Sequence, residues 1–185
     1  MKLILVRHGA TEWSASGRHT GLTDLALTEV GVAQAQAVQT RVLGLIAGEF
    51  SVWSSPLQRA RKTAEIVFPA QPYRVDERLR EFNYGDYEGL TTPQIRVGRP
   101  GWTVWDGCPG GETWQAVAAR VDSFLHDLPE KSTNVIVAHG HLLRILGARS
   151  IGQLGDFGRH LSLDTASVSL IDDFRDGTAI VHWNA

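Results

Sequence analysis

Four residues near the start, Leu3-Ile4-Leu5-Val6, constrain this chain more than any others. A strand with one wet face alternates apolar and polar side chains. A short run without alternation reads as a strand covered on both faces, as in the parallel sheet of an α/β fold. The run stops abruptly at Arg7-His8-Gly9. In open α/β sheets, ligands bind beyond the carboxyl ends of the strands. Arg supplies a fork of donors suited to phosphate or carboxylate. His is a nucleophile or acid–base group near neutral pH, and Gly lets backbone approach a ligand. An isolated Arg-His-Gly arises by chance and then marks only a solvated strand end, so the rest of the chain decides.

The same pattern recurs. Asn134-Val135-Ile136-Val137-Ala138 is a second clear strand and ends in His139-Gly140-His141. Phe50 to Ser54 reads as a strand that passes through Ser55-Pro56 into a helix over Leu57 to Phe68, with Arg59, Arg61 and Lys62 in its opening turns. Cations are unfavourable at a helix N-terminus unless an anion joins them, which marks Arg59 as an anion contact and leaves Arg61 and Lys62 as a solvated face. Between these strands, Thr28 caps a helix over Glu29 to Ala47, whose apolar face is Val32, Ala35, Val38, Val42 and Leu45 and which Gly48 ends. Tyr73 to Val75 reads as a short strand, Thr92-Pro93 as a helix start, Gly111-Glu112 as the lead into a helix to Leu128, and Leu142 to Ser150 as a helix. Ser167 to Ile171 and Ala179 to Trp183 form strands joined through Asp176-Gly177, a hairpin signal. Alternating strands and helices predict a three-layer α/β/α sandwich with a mainly parallel sheet, as one domain over residues 1–185.

The composition excludes several function classes. A net charge of −2 gives no reason to expect a nucleic-acid partner or an anionic membrane. The single Cys108 rules out an intrachain disulfide and a cysteine zinc site, and it suits a reducing, cytoplasmic setting. The apolar run after Lys2 is too short for a signal peptide, and no stretch has the length of a membrane helix.

In a parallel sheet the three strand ends lie along one edge, so Arg7, Arg59, His8 and His139 converge there and attract a phosphoryl dianion. His8, His139 and His141 are also three potential metal ligands, but converging arginines would repel a divalent cation and no acidic ligand completes the set. No G-x-S-x-G elbow supports a serine hydrolase. Leu79 to Gly89 is dense in acids and aromatics, and Phe82, Tyr84 and Tyr87 are expected to desolvate Glu81 as a general acid requires. The same stretch also reads as an ordinary polar loop.

Leu5-Val6-Arg7-His8-Gly9 with Thr11-Glu12-Trp13, Ser54-Ser55-Pro56-Leu57 with Arg59-Ala60, Leu79-Arg80-Glu81 with Tyr84-Gly85 and Tyr87-Glu88-Gly89, and Val137-Ala138-His139-Gly140 together resemble the histidine phosphatase (phosphoglycerate mutase-like) superfamily. Motif order and span agree. The resemblance implies that His8 becomes a phosphohistidine, that Arg7, Arg59 and His139 bind the phosphoryl group, and that Glu81 donates the proton to the leaving oxygen. It also implies that Thr20-Gly21 and the Ser14 position touch phosphate or substrate. Tyr84 and Gly140 are further substrate-binding candidates, Arg18 and His19 are candidates for the mouth of the site, and His141 either touches substrate or only packs at the start of its helix. Neither metal nor cofactor is implied. The first-loop sequence and the Tyr84 to Gly89 stretch look closest to the sedoheptulose-bisphosphatase-like and acid-phosphatase-like branch. Ser14 stands where most of the family has Asn, and Thr92 where the mutases have Lys. The expected activity is hydrolysis of a small phosphorylated metabolite such as a sugar phosphate. The alternatives are a cofactor-dependent phosphoglycerate mutase and a non-catalytic phospholigand-binding module. No nucleic-acid or membrane partner is expected, and a homodimer is compatible with such a chain.

Overall fold

A computed structural model describes residues 1–129 and 131–185. Among these residues six strands and six α-helices follow in chain order, with four short 3-10 turns between them: β1 (Lys2–Arg7), α1 (Glu12–Ala15), α2 (Glu29–Gly44), β2 (Phe50–Ser54), α3 (Gln58–Val67), β3 (Tyr73–Val75), α4 (Thr92–Gly98), α5 (Trp114–His126), β4 (Thr133–Ala138), α6 (Gly140–Ser150), β5 (Val168–Phe174) and β6 (Gly177–His182). The strands form one sheet in the order β3-β2-β4-β1-β5-β6. The first four in that order are mutually parallel, and the C-terminal hairpin adds β5 and β6 antiparallel at one side.

The unalternating run of β1 has the expected cause: Leu3, Ile4, Leu5 and Val6 are all 1% exposed or less. Leu3 and Leu5 pack with Ile136 and Ala138 of β4 against α5 and α6. Ile4 and Val6 pack with Val135 and Val137 against α2 and α3. These faces are the inner layer of an α/β/α sandwich. Fully burying each such side chain contributes about 1.5–3 kcal/mol, and Leu5→Ala would lose about 2–5 kcal/mol.

Several boundaries differ from the sequence expectation. α2 stops at Gly44 with Leu45 as its C-cap, short of Ala47. α5 begins at Trp114 because the Thr113 side chain accepts the Ala116 N–H. The Gly-, Ser- and Thr-rich stretch from Ser14 to Ala26 reads as a loop from its composition, but its first two residues belong to a short helix, α1, held by a reciprocal Thr11–Ser14 capping box. In the hairpin Gly177 pairs with Phe174, so the loop is Arg175-Asp176, with Arg175 at φ +51°, rather than Asp176-Gly177. α6 starts at Gly140, two residues before Leu142, because its first N–H groups are satisfied by a carboxylate distant in sequence.

Candidate active site

The sheet register builds the centre. β1 lies beside β4, with Arg7 paired to Ala138, and β2 lies on the other side of β4, with Ser54 paired to Val137. One residue further, the His8 N–H donates to the Ala138 carbonyl (3.0 Å) and the Ser55 N–H to the Val137 carbonyl (3.1 Å). His8, His139 and Ser55 therefore meet at one edge, with the two imidazole rings edge-on and their centroids 5.1 Å apart.

His8 is 4% exposed, and its Nδ1 lies 2.7 Å from the Gly9 carbonyl oxygen. A carbonyl only accepts, so Nδ1 carries the hydrogen and Nε2 keeps a free lone pair. Burial first, then Arg59 and Arg7, hold this imidazole well below its ordinary range, so it is neutral. The bond needs glycine at position 9, because a Cβ there would meet the Gly31 carbonyl oxygen of α2 at 2.2 Å.

His139 is bonded in the opposite sense. Arg59 Nε donates to its Nδ1 (3.2 Å), so the ring hydrogen is on Nε2 and goes to Ser55 Oγ (2.7 Å). Burial, Arg59 and His8 hold this imidazole well below its ordinary range as well.

Arg59 is fully buried. Nη1 donates to the Thr23 carbonyl, and Nη2 to those of Thr20 and Gly21. With the bond to His139, these occupy four of its five N–H groups, leaving one on Nη1 for an anion. Arg7 Nη1 donates to the Leu163 carbonyl. Its Nε is the one buried side-chain polar atom left without a partner among the described residues. A buried orphan donor on a cation is costly unless an acceptor arrives. Gly140 lets the guanidinium lie close, since a Cβ there would stand 3.3 Å from Arg7 Cζ.

Glu81 departs from expectation. Its carboxylate meets three hydrogen-bond donors the sequence did not announce: Oε1 accepts the N–H groups of Phe82 and Leu142 (both 2.9 Å), and Oε2 accepts that of His141 (3.1 Å). It caps α6 in place of His139, which makes no side-chain cap.

A cavity of about 200 Å³ opens in front of these groups. Arg7, His8 and Glu81 line it, as do Ser14, Thr20, Tyr84 and Gly140 and the further candidates Arg18, His19 and His141. Arg59 and His139 stand behind this lining. Gly21 is not brought to the cavity. Its N–H goes to Glu88, its carbonyl accepts from Arg59, and a Cβ would meet the Phe82 carbonyl at 2.4 Å. The Ser14 hydroxyl donates to the Thr11 carbonyl and accepts the Thr11 N–H, so its hydrogen is used within α1. His19 Nε2 pairs with Thr92 Oγ1 (3.1 Å), and its ring stands edge-on to the buried Trp102. Among the described residues no three His, Cys, Asp or Glu side chains cluster to hold a metal ion.

The sequence reading gave no site role to Gly17, Arg144 and Leu163, which line the cavity, nor to Ser55 and Thr63, which bond His139 and the Gly9 N–H. Arg144 was legible: it lies one turn beyond Gly140 on α6, so it faces the same way. Its Nε donates to the Gly158 carbonyl (2.9 Å), and its guanidinium sits over Trp105, 5.2 Å from the ring centroid. Thr63 accepts the Gly9 N–H and donates to the Arg59 carbonyl, tying the first strand tip to α3.

Comparison with known proteins agrees with this geometry. A family model described as "Histidine phosphatase superfamily (branch 1)" matches residues 3–185. The chain is 38% identical to an acid phosphatase of Mycobacterium tuberculosis (91% of this chain, 85% of the relative). It is 35% identical to a sedoheptulose 1,7-bisphosphatase of Saccharomyces cerevisiae (80% and 66%). It is 37% identical to a protein of Erwinia tasmaniensis named "Probable phosphoglycerate mutase GpmB" (93% and 85%). The solved structure of an open reading frame product of Mycobacterium tuberculosis superposes with a TM-score of 0.92 at 34% identity, over 99% of this chain and 96% of that one.

Proposed function

The chain belongs to the histidine phosphatase superfamily (branch 1), and from that premise we propose that this enzyme hydrolyses a small phosphorylated metabolite through a phosphohistidine on His8. The observation that carries the reading is the Nδ1 bond to the Gly9 carbonyl. It leaves Nε2 as a free, neutral nucleophile in the wall of a cationic cavity.

The steps follow from the geometry. The phosphoryl group sits among the cations, with Arg7 Nε and the free Arg59 Nη1 hydrogen as its donors. His8 Nε2 attacks phosphorus in line. The N–P bond forms as the P–O bond to the leaving group breaks, and the departing alkoxide takes a proton from Glu81. Water then attacks the phosphohistidine and gives a proton back to Glu81. Inorganic phosphate leaves, and His8 is neutral again. No step calls on a metal or organic cofactor.

Arg18 and Arg144 in the outer wall suit an organic part rich in hydroxyls or carrying a further anion, which supports a sugar phosphate. The buried free thiol of Cys108 suits a reducing compartment such as the cytoplasm, and no described helix is long and apolar enough to cross a membrane.

The test is a panel of phosphorylated metabolites scored for inorganic phosphate, with and without a strong chelator, and with 3-phosphoglycerate also scored for isomerisation. Phosphate release from sugar phosphates that survives chelation is the expected result. Isomerisation without phosphate release would make the enzyme a mutase. Loss on chelation, restored by one divalent ion, would overturn the metal-free route.

A further inference from the structure

Two cavity residues have no part in the steps above, and they are bonded to each other. Tyr84 belongs to the segment that carries Glu81, and His141 lies in the first turn of α6. Tyr84 Oη is 2.6 Å from His141 Nδ1. Tyr84 is 2% exposed, and burial, then Glu81, hold its phenol well above the ordinary range, so it keeps its hydrogen. That hydroxyl has no other partner among the described residues. Burial, then Arg144 and His19, hold the His141 imidazole well below its ordinary range, so the ring carries a single N–H.

These facts decide the direction of the bond. If Nδ1 carried the hydrogen, it would donate to the phenol oxygen and strand the phenol hydrogen in a buried place without an acceptor. If the phenol donates to Nδ1, both groups are satisfied and the ring hydrogen is on Nε2. The ring is hemmed edge-on by Trp105 and Phe82, with centroids 6.1 and 6.5 Å away. Nε2 has no partner among the described residues, and His141 lines the cavity.

The position relative to Glu81 assigns the target. The His141 backbone N–H holds Glu81 Oε2, and the His141 side chain lines the same cavity as this proposed proton donor. The phosphoryl oxygens already have Arg7 and Arg59. A neutral N–H here suits a neutral acceptor.

We propose that His141 binds substrate by donating its Nε2–H to a hydroxyl or ether oxygen of the leaving group, and that Tyr84 is the positioning residue that selects this tautomer. The pair would favour polyhydroxylated phosphoesters over aryl ones. This deepens the phosphatase reading and rests on it only for the identity of the ligand that enters the cavity.

The experiment has two arms. Long-range ¹H–¹⁵N correlations of the histidine rings in the free, labelled enzyme report the tautomer without any turnover. His141 is expected as Nε2–H in the parent protein and as a tautomer mixture in Tyr84→Phe. Kinetics then compare a sugar phosphate with 4-nitrophenyl phosphate. In Tyr84→Phe the rise in KM for the sugar phosphate should exceed that for the aryl ester about tenfold, as loss of one hydrogen bond implies. His141→Gln, whose amide always offers an N–H, should keep most of the selectivity, and His141→Phe should lose it. An Nδ1–H tautomer in the parent protein, or equal changes for both substrates, overturns the proposal. If the parent enzyme turns over neither ester, the phosphatase reading fails alone. Calorimetric binding of the same two phosphates then decides: selective weakening of the sugar phosphate by Tyr84→Phe upholds the pair, and equal weakening overturns it.

Discussion

The tips of β1 and β4 are neighbours in the sheet and carry similar letters, Arg7-His8-Gly9 and His139-Gly140-His141. Each puts a neutral, buried imidazole at the same edge, and the rings nearly touch. Their hydrogen bonds differ. His8 donates from Nδ1 to a carbonyl and keeps Nε2 free, whereas both nitrogens of His139 are taken, by Arg59 and Ser55. The lesson is that residue type and burial do not distinguish a nucleophile from its support. The partner of each ring nitrogen does. β1 supplies the reacting atom, and β4 supplies the scaffold that holds Arg59 on one side and Glu81 on the other.

The largest effect should come from removing that reacting atom. His8→Ala is expected to lower kcat by about 10³-fold or more, with a folded protein by circular dichroism, because acting groups of a covalent unit fail together. His139→Ala should also slow the enzyme severely while still forming some phosphoenzyme. If the two variants were equally devoid of it, the distinction between the tips would collapse.

Glu81→Gln comes next. It keeps the shape but cannot pass on a proton, so the phosphorylation step should slow by about 10²–10⁴-fold for a sugar phosphate and far less for an aryl phosphate, whose phenolate leaves unaided. Single-turnover rates or the initial phenolate burst isolate that step. Equal losses for both esters would remove Glu81 from the role and turn attention to His139.

Ser55→Ala sharpens the β4 side. It removes the acceptor of the His139 Nε2–H, and a loss of about tenfold or less in kcat/KM is expected, in line with one hydrogen bond. A loss as large as that of His8→Ala would show that the serine itself takes part in the chemistry.

The last effect is on stability rather than on rate. His8, His139 and His141 all titrate below their unfolded value near 6.5. As pH falls below 6.5 the unfolded chain binds protons that the folded one refuses, so stability is full above that value and declines beneath it. Each histidine adds at most about 1.4 kcal/mol per pH unit. Urea titrations between pH 7 and 5 should show this decline, and it should be shallower in His141→Gln. Unchanged stability across the window would mean that the imidazoles are not buried neutral. The same lowering keeps His8 nucleophilic in mild acid, so the acid limb of kcat/KM should lie below pH 6.5.

Much of this was legible in the sequence. Unbroken apolar runs at Leu3–Val6 and Val135–Ala138 located the central strands, since period-free hydrophobicity has few other outcomes in short segments. The polar residues after each run located the site, since parallel strands share an edge. What escaped depends on contacts between residues far apart in the chain. Glu81 caps a helix some sixty residues away, and that cap moves the start of α6 and changes the environment expected for the carboxyl. Gly21 was expected at the substrate but is a packing glycine clamped between Arg59 and Glu88. Arg144 could have been found by helical spacing. The Ser55–His139 and Tyr84–His141 bonds could not, because local pattern says nothing about which ring nitrogen meets which partner.

The most direct test of the account is to locate the phosphoryl group. The enzyme is mixed rapidly with a ³²P-labelled sugar phosphate that it turns over, quenched in alkali, and digested for mass spectrometry and ³¹P analysis. The account predicts an acid-labile, alkali-stable phosphohistidine on Nε2 of His8. Label on His139, on Nδ1 of His8, or on no residue at all during turnover would contradict it.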